Sequence, residues 1–96
     1  MTNFEKAVEI AVAGIKHDAA VMGVDWKRVG NWAELLEWFG QDSTDMREGI
    51  YFELRRAATV EHLDWYPMDD CSVEDSDGSI KTYRQLTNAI RKQLFA

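Results

Sequence analysis

Ninety-six residues, 46% of them apolar and including four Trp, three Tyr and four Phe, are enough for one hydrophobic core and exclude a disordered chain. A net charge of −6 excludes the basic composition of a typical nucleic-acid binder, and the single cysteine, Cys71, excludes an internal disulfide or a multi-cysteine zinc site and fits a reducing compartment. The longest apolar stretch, Val8–Ile15, is broken by Glu9 and falls far short of the ~20 residues that cross a bilayer, while Glu5 and Glu9 stand where a secretory signal would be basic and then continuously apolar, so a cytoplasmic protein of one domain, 1–96, is expected.

The first predicted element is a helix. Thr2 and Glu5 form a capping box, Phe4, Val8, Ala11, Ile15, Ala19 and Met22 recur at helical steps, and Gly23 supplies the stop. Asp25 caps a short turn, Trp26–Val29, which Gly30 ends. Asn31 and Glu34 repeat the capping logic before a helix over Trp32–Phe39, closed by Gly40. That helix is apolar around most of its circumference, so it is expected to be wedged between other elements. Trp26, Trp32 and Trp38 are six residues apart, which is no helical period. They are read as core and staple residues, not as a ligand cage.

Ser43, Thr44 and Asp45 mark the next helix start. Met46, Ile50, Leu54 and Ala57 form its stripe, Tyr51 and Ala58 widen it, and Gly49 weakens it by ~1 kcal/mol relative to Ala. The pattern fails at Asp64, because Pro67 disfavours helix in the residue before it. Cys71–Glu74 and Ser79–Lys81 are expected to pair as a hairpin across the Asp77-Gly78 turn. Thr82 with Gln85 then caps a last helix carrying Tyr83, Leu86, Ile90 and Leu94, with Arg91 and Lys92 near its C-terminal end to suit the helix dipole. The fold class is therefore mainly α: a compact bundle of about four helices with a short β-hairpin around Asp77-Gly78.

Charge is divided by segment. Residues 1–60 hold ten acids and seven bases. Between Glu61 and Asp77 lie seven acids, Glu61, Asp64, Asp69, Asp70, Glu74, Asp75 and Asp77, and no base. From Ser79 onward there are four bases, Lys81, Arg84, Arg91 and Lys92, and no acid. The acidic stretch also holds Trp65, Tyr66 and Met68, residue types enriched in interface cores, while acids on a rim steer a basic partner. The candidate partner-binding residues are thus Glu61, Asp64, Trp65, Tyr66, Asp69, Asp70, Glu74, Asp75 and Asp77. Their carboxylates are expected to be solvated, so that reversing Asp69, Asp70, Asp75 and Asp77 would leave the fold intact. On an extended strand, acids on one face would stand roughly 6–7 Å apart, near the spacing of phosphates along a nucleic-acid backbone. The four bases of the last segment are expected to neutralise part of this stretch within the molecule.

Catalytic and metal chemistry find no foothold. Aligned with a calcium-binding loop, Asp75, Asp77, Gly78 and Ile80 fall on expected positions, but Val73 stands at the first ligand and Arg84 at the bidentate anchor. His17, His62 and Cys71 share no ligand spacing. Cys71 follows Asp69-Asp70, and anionic neighbours disfavour a thiolate. No glycine loop cradles a phosphate and no nucleophile stands with a base. The expectation is a protein that is not an enzyme, with no catalytic residues, metal or cofactor.

In size, acidity and absent catalytic motifs the chain resembles the small proteins that phages and mobile elements make to block host defence, such as anti-CRISPR and antirestriction proteins. The resemblance covers no motif, so no functional residue is carried over from it. It implies an acidic inhibitor that binds a basic protein, a nucleic-acid-binding enzyme or complex such as a CRISPR or restriction nuclease, and mimics its nucleic acid. Such a protein would bind no nucleic acid directly and no membrane, and would be a monomer or homodimer. The alternative is a small DNA-binding regulator or antitoxin-like module that uses the basic last helix. A third is a subunit whose Trp32–Phe39 helix completes a partner's core.

Overall fold

The computed structural model describes residues 1–95. Its elements follow the capping signals closely. Helix α1 spans Asn3–Met22, with the Thr2/Glu5 capping box formed and Gly23 left-handed at its end (φ 70°). A 3-10 turn, Trp26–Arg28, starts at Asp25, whose carboxylate accepts the Lys27 N–H at 3.1 Å. Helix α2 is Trp32–Phe39, capped by Asn31 and ended by Gly40. Helix α3 is Ser43–Val60. Its cap is Asp42, one residue before the expected cluster, in a reciprocal pair with Asp45. Strands β1 (Val73–Glu74) and β2 (Ile80–Lys81) pair antiparallel, Val73 opposite Lys81 and Glu74 opposite Ile80. Helix α4, Tyr83–Leu94, starts on the Thr82/Gln85 capping box.

Helix α1 is the central element, packed by both α3 and α4. That is why Ala7, Ile10 and Val12 are buried in addition to the predicted stripe of Val8, Ala11, Ile15 and Ala19, whereas Met22, at the helix end, is half exposed. At Gly14 the α1 and α3 helices come close: a Cβ there would stand 3.0 Å from Cγ of Glu53. The stripe Met46, Ile50, Leu54 and Ala57 of α3 and Leu86 and Ile90 of α4 are buried against it. Leu35, Leu54, Leu86 and Ile90 lose essentially all exposure, each contributing about 1.5–3 kcal/mol relative to a solvated side chain.

One expectation is corrected. Helix α2 is not wedged between other elements. Only Leu35 is fully buried, while Trp32, Leu36, Trp38 and Phe39 are half-buried on the edge of the core. At eight residues α2 lies peripherally, and its large aromatics cover the core from outside, as amphipathic rings commonly do in small proteins. Among the described residues no helix is long and apolar enough to cross a membrane.

Candidate partner-binding surface

The acidic connection between α3 and β1 is an ordered path. Helix α3 stops at Glu61, and His62 takes a left-handed conformation (φ 54°) that turns the chain and lets the Leu63 N–H reach the Ala58 carbonyl at 2.9 Å. The chain then alternates: Trp65 and Pro67 point inward and are buried, while Tyr66 and Met68 point outward. A tight turn follows, in which the Cys71 N–H donates to the Met68 carbonyl at 2.7 Å and the Met68 N–H to the Ser72 carbonyl at 2.8 Å. Asp69 and Asp70 form its tip.

Four of the seven carboxylates have partners inside the protein. Asp70 accepts from the Ser72 hydroxyl and its N–H. Asp77 accepts from the Ser79 hydroxyl at 2.6 Å and N–H at 2.9 Å. Asp75 accepts the N–H of Phe4 at 3.0 Å and that of Ser76 at 2.8 Å. Glu61 pairs with Lys6 of α1 at 3.0 Å. The Ser72 hydroxyl beside Asp70, the Phe4 N–H on Asp75 and the Ser79 hydroxyl on Asp77 hold these three carboxyls below the usual carboxylate range, because each donor favours the ionised form. Asp64, Asp69 and Glu74 are exposed, and their carboxylates accept no hydrogen bond from the described residues.

Asp75 does a second job. It lies at the N-terminus of α1, where Asn3 also donates its N–H to the Ser76 hydroxyl at 2.9 Å and its side-chain amide to the Glu74 carbonyl at 3.2 Å. The hairpin loop thus satisfies N–H groups that open the first helix, and a carboxylate there is favoured by the helix dipole.

Three expectations change on this geometry. The acidic residues are not all free: Asp70 and Asp77, though exposed, and Asp75 accept hydrogen bonds that shape turns and join the hairpin to α1, so reversing them should perturb the fold. The stretch is not a continuous strand. Only Val73–Glu74 is paired, and the strand spacing of carboxylates does not extend along it. Trp65, 8% exposed, belongs to the core, which leaves Tyr66, 55% exposed, as the outward aromatic. The serine donors had a sequence signal, the repeated Asp-x-Ser spacing of Asp70–Ser72 and Asp77–Ser79, which is that of side-chain-to-backbone turns. Nothing local foretold Asn3 and Phe4.

Of the bases of the last segment, Lys81 favours the ionised forms of Asp75 and Asp77 through its charge, but none forms an ion pair with the stretch among the described residues. Among the described residues its one ion pair comes from Lys6 of α1. Lys81 lies over the Phe4 ring instead (5.9 Å) and Arg91 over the Trp32 ring (5.1 Å). Trp26 meets Phe95 at 6.3 Å, which brings the Trp26-Lys27-Arg28 turn to the end of α4. An open groove of ≈ 700 Å³ lies there, between Gly30–Ala33 and Arg91, Lys92 and Phe95, and among the described residues no carboxylate side chain lines it. Sequence reasoning missed this basic, aromatic end, because its parts come from three separate segments.

Cys71 is 1% exposed and left-handed (φ 66°), and burial pushes its thiol up to about 11. A thiol so placed is a packing residue. Comparison with known protein families, characterised proteins and solved structures finds no match to the chain.

Proposed function

We propose that the chain is a small protein-binding inhibitor that presents the Glu61–Asp77 surface to a basic partner, in the manner of a nucleic-acid mimic. The observation that carries this reading is the anchoring of Asp70 and Asp77 by their own turns and of Asp75 by the start of α1, in a stretch that also exposes Tyr66 and Met68. Carboxylates held in place and kept ionised lose little freedom on meeting Lys or Arg, and preorganisation of this kind converts charge complementarity into affinity. Asp64, Asp69 and Glu74 supply unpartnered charge around them, and Tyr66 is the aromatic anchor. The partner class is a basic surface that handles nucleic acid, such as that of a CRISPR or restriction nuclease.

The test is cleavage by a panel of purified nucleases of both types with the chain added. Inhibition should weaken with salt and be lost in an Asp64→Asn, Asp69→Asn, Glu74→Gln variant, which spares the turn-forming carboxylates. Inhibition that is indifferent to salt and unchanged both in that variant and in Tyr66→Ala removes the stretch from the interface.

The second reading, a nucleic-acid-binding regulator using the end of α4, is favoured by one observation. Arg91, Lys92, Trp32 and Phe95 border a groove that no carboxylate side chain of the described residues lines, and bases with aromatic faces suit single-stranded nucleic acid. Salt-dependent retardation of DNA or RNA at micromolar protein, lost on Arg91→Ala with Lys92→Ala, would replace the first reading with this one.

A further inference from the structure

The solvent face of α3 has features that the isolated chain does not use. Phe52 stands opposite the buried stripe of this helix and is 65% exposed, although its ring meets the neighbouring Tyr51 edge-on at 5.5 Å. Gly49, one turn earlier, has an ordinary helical backbone, and nothing lies within 4 Å of the Cβ it lacks. Neither conformation nor packing in the chain calls for glycine there, and in a helix interior it costs about 1 kcal/mol relative to Ala. Arg55 and Glu48 lie on the same face, one turn to either side of Phe52. Neither forms an ion pair within the described residues, and Arg55 donates only to the Tyr51 hydroxyl, at 3.2 Å. The bases of α3 are Arg47, Arg55 and Arg56, and it has no Lys, the pattern of interface surfaces.

These features fit together when the face is set against itself. We propose that the outer face of α3 is the contact between two copies of this chain, packed antiparallel about a two-fold axis at Phe52. In that arrangement a residue four positions before Phe52 lies near the height of one three or four positions after it in the second copy. Glu48 of each copy therefore meets Arg55 of the other. Both residues sit on the same side of the helix face, and a two-fold axis across the helices preserves that side. The two Phe52 rings pack at the axis, in the space that Gly49 leaves open. Parallel packing would instead set Glu48 level with Glu48 and Arg55 level with Arg55 and Arg56, so the charges select the antiparallel pair. One helix face is small beside the about 1,200–2,000 Å² of a stable interface, so the dimer is weak.

Sedimentation equilibrium over ~10–500 µM protein at ~150 mM salt tests the proposal. The average mass should rise from one chain toward two. Phe52→Glu should weaken association at least tenfold, with circular dichroism unchanged because the residue is solvated. Glu48→Arg alone and Arg55→Glu alone should each be monomeric, since each sets like charges together twice. Mixing the two variants should restore the dimer, because the positive charge introduced in one copy then meets the negative charge introduced in the other. A chain that stays monomeric throughout overturns the proposal. So does a dimer indifferent to Phe52→Glu, or single-charge variants that fail to complement on mixing; the face would then be open to a different partner. None of these outcomes depends on the acidic stretch, so the proposal stands or falls apart from the inhibitor reading.

Discussion

The carboxylate of Asp75 accepts the backbone N–H of Phe4 at 3.0 Å, across 71 positions of sequence. This bond places the acidic hairpin loop on the first turn of α1, where an N–H would otherwise lack a partner. Asp75→Ala should lower the urea midpoint clearly. Asp69→Ala, which removes an exposed carboxylate without a hydrogen bond, should leave it unchanged. Equal midpoints for the two variants would show that the loop contributes nothing to holding the helix start.

Stability should fall in acid, through Glu5 of the first capping box and through three residues of the acidic stretch. The folded-state values of Asp70, Asp75 and Asp77 lie below those of an unfolded carboxyl, so the native state binds fewer protons at these sites than the unfolded state does. Their contribution is fully present above the unfolded value of ~3.9 and is lost as pH falls through the lower folded values. Denaturation midpoints at pH 7 and near pH 2.5 should therefore differ. The Asp75→Asn, Asp77→Asn variant, which keeps oxygen acceptors but no titrating groups, should show a shallower acid loss than the parent.

The two faces of α4 should respond differently to truncation. Leu86→Ala and Ile90→Ala, at positions 1% and 0% exposed, should each cost roughly 2–5 kcal/mol. Arg84→Ala, on the exposed side, should stay within about 1 kcal/mol. Arg91→Ala, which uncovers the Trp32 ring, should also cost no more than about 1 kcal/mol. Chemical denaturation of the four variants measures all of this, and a silent Leu86→Ala would reverse the assignment of faces.

Adjacent aromatics in the acidic connection should separate stability from binding. Trp65→Ala empties a core position and should cost about 3–5 kcal/mol. Tyr66→Ala should leave the fold nearly as stable, since the ring is solvated and its hydroxyl meets only the Thr59 hydroxyl, at 3.4 Å. Affinity for an inhibited nuclease should nevertheless drop at least tenfold in the Tyr66 variant. Unchanged affinity there would move the anchor elsewhere on the surface.

The helices were legible because their signals are local. Thr2 with Glu5, Asn31 with Glu34 and Thr82 with Gln85 lie within one turn of each other, and a cap of that kind forms wherever the helix forms. The buried stripes of α3 and α4 are periodic in the same way, and Asp77-Gly78 marks its turn through conformational preference alone. So the four helices, their ends to within a residue or two, and the hairpin were determined by the sequence by itself. Tertiary structure decided what these elements do to one another. Eight residues rich in Trp and Phe cannot reveal whether they lie inside or along an edge, so the peripheral position of α2 depended on how α1, α3 and α4 enclose the core. The acidic stretch is a run of charge in sequence, but chain folding divides it into carboxylates that hold turns and a helix start, and carboxylates left free. That division rests on donors such as Phe4 and Lys6, which stand far away along the chain. A hydrogen bond or ion pair depends on separation in space, and no sequence pattern records the closure of a long loop.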